Sequence, residues 1–144
     1  MRALLDVNVL IALLDGSHAF HGKAHAWWAV HSADGWASCP LTENAVIRIM
    51  CHPSYSATRR FIAAEIIAAL EAFALGTDHR FWHDSLSFRD AALFDPTRIH
   101  GPKQLTDLYL LGLAVANGGR LATFDQAIPL SVVKGAAPVN LMVL

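Results

Sequence analysis

An apolar run that stops at a carboxylate constrains this chain more than any other feature. Arg2 to Leu5 is short and mostly apolar, and reads as a strand buried on both faces. Asp6 follows at once, then Val7, Asn8 and a second apolar run, Val9 to Leu14, which reads as a helix ended by Asp15-Gly16. The pattern returns near the other end: Arg120 to Phe124 reads as a strand, and Asp125 closes it. In an open α/β sheet, ligands bind outside the C-terminal edge of the strands, which is where both carboxylates fall. Asp6 equally suits the cap of the helix that follows it. Asn8 can end the first strand, cap that helix and offer the site a second polar group.

The chain between these ends alternates strands and helices. Ser17 can cap a helix from His18 to His31, Gly35 to Cys39 reads as a second strand, and Pro40 opens a helix from Leu41 to Cys51. A helix over Phe61 to Leu75 stops at Gly76, and Arg80 to His83 reads as a third strand. Ser87 to Phe94 is expected to form a short helix, Lys103 to Asn117 a long one, and Val139 to Val143 the last strand. Such alternation predicts a parallel sheet with helices on both faces. Right-handed crossovers then carry the strand ends to one edge.

Two further acids break apolar helical stripes. Glu43 has Val46, Ile47 and Met50 at its i+3, i+4 and i+7 positions; Asp107 has Leu110, Leu111 and Ala114. The macrodipole favours an acid in a first turn, which explains their positions but not their inward faces. Thr106 can cap or support Asp107. His21 and His25 are spaced for a metal, yet no carboxylate lies between them as a metalloprotease motif requires, so they are read as an exposed histidine face.

Composition excludes several classes. A length of 144 residues suits one domain burying roughly two-thirds of its unfolded surface. Net charge is −1, so nucleic-acid binding needs a local basic patch or a metal. Arg48, Arg59, Arg60, Arg98 and Lys103 are the candidate phosphate contacts. Cys39 and Cys51 form no disulfide scaffold, and a reduced, cytoplasmic setting is expected. No run reaches the roughly 18 apolar residues of a spanning helix, so no membrane is expected. Apolar residues make up 54% and charged residues 16%, which suggests apolar surface kept for a partner. Trp27 and Trp28 are adjacent on one helix and point about 100° apart, so one of them is expected to meet another chain: a homodimer is expected, and a partner peptide laid in an apolar groove by its helix or extended tail.

Clustered, half-hidden carboxylates repel one another, and stability alone does not favour them. A hard divalent cation, Mg²⁺ or Mn²⁺, removes the conflict and supports metal-dependent phosphodiester hydrolysis. A haloacid-dehalogenase-type phosphatase would place a second Asp two residues after the first, where this chain has Asn8. Leu-Leu-Asp-Val-Asn-Val-Leu around Asp6, Thr42-Glu43, Leu105-Thr106-Asp107 and Ala122-Thr123-Phe124-Asp125 together resemble the PIN-domain ribonucleases, and within them the VapC-type toxins of bacterial toxin–antitoxin systems. The segment Arg98 to Gln104 is similar to that family's approach to its third acid.

The resemblance runs from Arg2 to Val143 and implies a single PIN-like domain over residues 1–144, with three layers and a mostly parallel sheet of four to five strands flanked by helices. It implies that Asp6 and Asp107 hold Mg²⁺, that Glu43 and Asp125 complete a catalytic cluster, and that Asn8 and Thr123 support it. Endonucleolytic RNA cleavage, with Arg48, Arg98 and Lys103 as contacts to the RNA, and inhibition by a cognate antitoxin are the expected function. The competing readings are a PIN-like protein-binding module without catalysis, which would have no reason to keep all four acids, and a PIN-type DNA nuclease, which would need more length for a threading arch.

Overall fold

Strands that are apolar on both faces need cover on both sides, and the chain supplies it. The computed structural model describes residues 1–144. Five strands, β1 (Ala3–Leu5), β2 (Trp36–Ser38), β3 (His79–Phe81), β4 (Arg120–Thr123) and β5 (Leu141–Val143), form one sheet in the order β3-β2-β1-β4-β5. Every pairing is parallel, and Leu4 of β1 lies between Ala37 of β2 and Leu121 of β4. The helices are α1 (Val7–Leu14), α2 (His21–His31), α3 (Pro40–Met50), α4 (Ala63–Leu75) and α5 (Leu105–Ala116). No helix is long and apolar enough to cross a membrane.

Side chains alternate across the sheet and divide the core in two. Ala3, Leu5, Trp36 and Ala122 face α1, α2, α3 and α4, where they meet Leu10, Val46 and Ile66. Leu4, Ala37 and Leu121 face α5 and the segment around Phe94, meeting Leu108, Leu111 and Val132. Gly112 lets Phe94 lie close on α5, since a Cβ there would stand 2.6 Å from the Phe94 ring. The three layers follow from this alternation.

Topology then sets the site. β2 and β3 are laid to one side of β1, and β4 and β5 to the other. The order reverses between β1 and β4, and ligands of open α/β sheets bind outside the C-terminal ends at such a reversal.

Several boundaries differ from expectation, among them the starts of α5 at Leu105 and of β5 at Leu141. α2 begins at His21, because the Asp15 carboxylate accepts the Ser17 amide at 2.9 Å and holds a turn there. α4 begins at Ala63, and β3 at His79. Ser87 to Phe94 is not helical. Ser87 Oγ takes the Arg89 amide and Asp90 Oδ1 the Ala92 amide, local bonds that compete with a helix. Phe94 instead pairs with Val133 in an isolated antiparallel bridge.

Candidate active site

Asp6 serves both of its expected roles. It is the N-cap of α1, with Oδ1 accepting the Val7 amide at 2.6 Å. Its other oxygen accepts the Thr123 hydroxyl at 2.9 Å. The residue is only 7% exposed. Burial pushes its carboxyl above the usual range, the two hydrogen bonds oppose this, and the Asp125 charge adds to it. Thr123, the last residue of β4, also accepts the Asp125 amide at 3.1 Å, so one hydroxyl ties the ends of β1 and β4 together. Asp125 in turn accepts the Ala127 amide at 2.7 Å, fixing the loop that leaves the sheet.

Asp107 enters from α5. It lies half-buried in the first turn and lines a small cleft with Gln104, Leu108, Asp125 and Ile128. Its carboxyl is pushed up to about 6 by burial first, then by the charges of Asp6 and Asp125 and a hydrogen bond to Asp125. Three of the four acids therefore stand together at the sheet's reversal point. Their oxygens are hard donors whose crowding a cation relieves, and Mg²⁺ needs only one or two carboxylates beside water and phosphate. No three acid, histidine or cysteine side chains are arranged to encircle an ion by themselves.

Glu43 does not join them. It sits in the first turn of α3 as expected, but accepts the Ser38 hydroxyl at 2.5 Å. It opens onto a different cleft, of about 530 Å³, with Ile47, Ile67, Leu75, His79 and Phe81. The expected cluster of four is thus a cluster of three, with Glu43 beside the end of β2.

Full-length relatives decide the family. The chain is 44% identical to Ribonuclease VapC44 of Mycobacterium tuberculosis over 147 aligned residues, covering the whole of both chains. It is 38% identical to Ribonuclease VapC39 of the same organism, over 96% of this chain and 99% of that one. This chain belongs to the VapC ribonucleases. No protein-family model matches it. Among solved structures, VapC20 of M. tuberculosis, described as a sarcin-ricin loop cleaving toxin, superposes with a TM-score of 0.60 at 15% identity, covering 94% of this chain and 99% of that one. The VapBC2 complex of Rickettsia felis, bound to a DNA fragment from its promoter, superposes with a TM-score of 0.55 at 13% identity, covering 100% of this chain and 98% of the matched one. At such identities the structures speak for the VapC fold alone.

The remaining expected residues fall unevenly. Asn8 is exposed in the first turn of α1 and is not its cap, because Asp6 takes that place. Thr106 is exposed, and α5 instead continues a 3-10 turn over Pro102–Gln104. Arg98 is drawn to Asp95 at 3.1 Å, Arg59 lies 3.6 Å from Asp15, and Arg60 is hydrogen-bonded to the Ser56 carbonyl. Arg48 and Lys103 are exposed and pair with no acid. His21 and His25 contact the carbonyls of Ala12 and Leu13, so they satisfy the last turn of α1 rather than forming a bare exposed face.

Trp27 and Trp28 each have a partner within the chain: Trp27 donates to the Met142 sulfur and Trp28 packs on Phe73. Both indoles are half-buried, so neither stands out as kept for another chain. Two polar residues at the site escaped sequence reasoning, Ser38 and His79. Ser38 carried a usable signal, since it ends a buried strand as Thr123 does. His79 carried none.

Proposed function

We propose that this chain is a metal-dependent endoribonuclease and the toxin of a toxin–antitoxin pair. The observation that carries the reading is the meeting of Asp6, Asp107 and Asp125 at the reversal point of the sheet, in a chain whose full-length relatives are named ribonucleases. Asp6 and Asp107 would hold Mg²⁺ or Mn²⁺. Such an ion, once bound, lowers the pKa of a water and neutralises a phosphate oxygen. Thr123 orients Asp6 with its hydroxyl, and Asp125 adds negative charge beside Asp107. Arg48 and Lys103 meet the RNA backbone; Arg98 would first have to leave Asp95.

The antitoxin is proposed to dock in the cleft beside Glu43. Ile67, Leu75 and Phe81 are 52%, 78% and 44% exposed there, and Glu43 and Glu71 flank them. An amphipathic helix or extended tail carrying a basic residue suits that surface. A homodimer is proposed as well, supported by other large apolar side chains left in water, among them Phe20, Val30 and Ile62.

Incubation of the purified chain with RNA and with DNA, in Mg²⁺ and in EDTA, tests the catalytic reading. RNA should be cut in Mg²⁺ alone, and Asp107→Asn should not cut it. Cleavage that persists in EDTA rejects the metal role. Equal cutting of DNA makes the chain a general nuclease, and absence of any cutting makes it a binding module. Sedimentation showing a monomer at high concentration rejects the dimer.

A further inference from the structure

Ser38 is fully buried at the end of β2, yet its hydroxyl meets two polar groups. It donates to Glu43 Oε1 at 2.5 Å and lies 2.7 Å from His79 Nε2. A hydroxyl has one proton and two lone pairs, whereas a carboxylate only accepts. With the Ser38 proton directed to Glu43, the second bond must be donated by His79, so His79 carries its proton on Nε2. Register explains the contact. His79 is paired with Trp36 across β2 and β3, and Ser38 follows Trp36 by two residues on the same face.

The imidazole has little freedom to leave. Its ring packs on Trp36 at 4.3 Å, and Trp36 is 1% exposed. Trp36 donates from Nε1 to the Thr77 hydroxyl, which donates to the Phe73 carbonyl. Burial lowers the affinity of His79 for a second proton; Glu43 and Glu71 oppose this and Arg2 assists it. The hydrogen-bond count requires the Nε2 proton, and burial favours the neutral ring that carries it alone.

We propose that His79 and Ser38 are positioning residues that act in series on Glu43. His79 fixes the Ser38 hydroxyl, and Ser38 fixes the carboxylate at the mouth of the cleft. Neither touches the substrate. This rests on the nuclease reading above, joined to the role that the family resemblance implies for Glu43 in completing the catalytic cluster. A histidine 36 positions downstream in the sequence thereby controls Glu43 through a serine.

The test has two arms. The first measures RNA cleavage by wild type, Ser38→Ala, His79→Phe, His79→Gln and the Ser38→Ala/His79→Phe double variant, with thermal melting to verify folding. Phe keeps the packing on Trp36 but has no donor, whereas the Gln amide can replace Nε2. The expected result is a fall in kcat of roughly 10-fold or more for Ser38→Ala and for His79→Phe, the range for residues that orient a ligand from behind. KM should scarcely move, Gln should restore most of the rate, and the double variant should be no slower than Ser38→Ala. A folded His79→Phe with wild-type kcat, or losses that multiply in the double variant, would overturn the proposal.

The second arm needs no activity. Proton–nitrogen correlation spectra of the metal-free protein in EDTA should show His79 protonated on Nε2 in wild type, and mixed tautomers in Ser38→Ala. A wild-type His79 protonated on Nδ1 alone overturns the proposal even in an active enzyme. An inactive wild type with the Nε2 proton in place defeats the nuclease reading and leaves the hydrogen-bonded series standing.

Discussion

Replacing Asp107 by Asn should stabilise the metal-free protein while abolishing cleavage. The folded chain holds the Asp107 carboxyl at about 6, against an ordinary 3.8. At 1.36 kcal/mol per pH unit the difference is on the order of 3 kcal/mol. The residue is only half-buried, and screening by water reduces the yield to about 1–2 kcal/mol. The direction follows from linkage. Below about pH 4 the carboxyl is protonated in both folded and unfolded chains and costs nothing. As pH rises from about 4 to about 6 the unfolded chain gives up its proton first, so the wild type loses stability across that window, and above it the penalty is complete.

Asn cannot titrate and resembles the protonated acid, so Asp107→Asn should lack this decline. Melting curves in EDTA, taken in steps across the window, measure it. The variant should melt higher at about pH 7 by several degrees, since 1 kcal/mol moves a domain of this size by roughly 2–4 °C. The two proteins should converge near pH 4. RNA cleavage should be lost, because the proposed metal would lose a charged ligand. A variant that melts lower than wild type at neutral pH, or that keeps the wild-type pH slope, would refute the claim that Asp107 is held against the charges of Asp6 and Asp125. It would then be an ordinary acid of a first helical turn.

Thr123→Val removes the hydroxyl that donates to Asp6 and accepts the Asp125 amide; it should cost about 1–3 kcal/mol in a denaturant titration and slow cleavage. Mg²⁺ or Mn²⁺ should raise the melting temperature of wild type and raise that of Asp107→Asn less, as read by titration calorimetry and melting on the same samples. Tyr55→Phe should destabilise by about 1 kcal/mol in a denaturant titration, because the Tyr55 hydroxyl donates to buried Asp15. Burial raises the Asp15 carboxyl, but Tyr55, the Ser17 amide and Arg59 together hold it below its usual value; the stability it contributes should therefore be present at neutral pH and fade in acid, and fade less in Tyr55→Phe.

What the sequence makes readable divides along a physical line. Asp6 and Asp125 are visible because each ends an apolar run, and short buried strands leave their next polar residue at the sheet's edge. The inward face of Asp107 is visible because helical spacing depends only on neighbours within one element. The helix expected at Ser87 to Phe94 fails partly through local bonds of Ser87 and Asp90, and partly because Phe94 is held by Val133, 39 positions away, a bridge that no local pattern encodes. The contacts of the histidine pair on α2 are hidden in the same way. His21 and His25 are spaced for a shared ligand, but α2 folds back so that both meet the end of α1, whose last carbonyls need partners.

Glu43 shows where the two kinds of information meet. Its stripe of Val46, Ile47 and Met50 turns it inward, and it does face inward. The apolar stripe cannot say which polar group waits for it. Parallel strand order places β2 between β1 and β3, so an acid at the start of α3 has a choice between the carboxylates past β1 and the hydroxyl at the end of β2. Electrostatics decides that choice. Asp6 raises the proton affinity of Asp107, Asp125 raises that of both, and a further carboxylate would add to the repulsion. The Ser38 hydroxyl offers a proton in place of a negative charge. Without a cation, Glu43 is therefore better satisfied one strand away. With a cation to offset the charge at Asp6 and Asp107, the repulsion that keeps it there is weakest, and the grip of Ser38 and His79 matters most to where it stands.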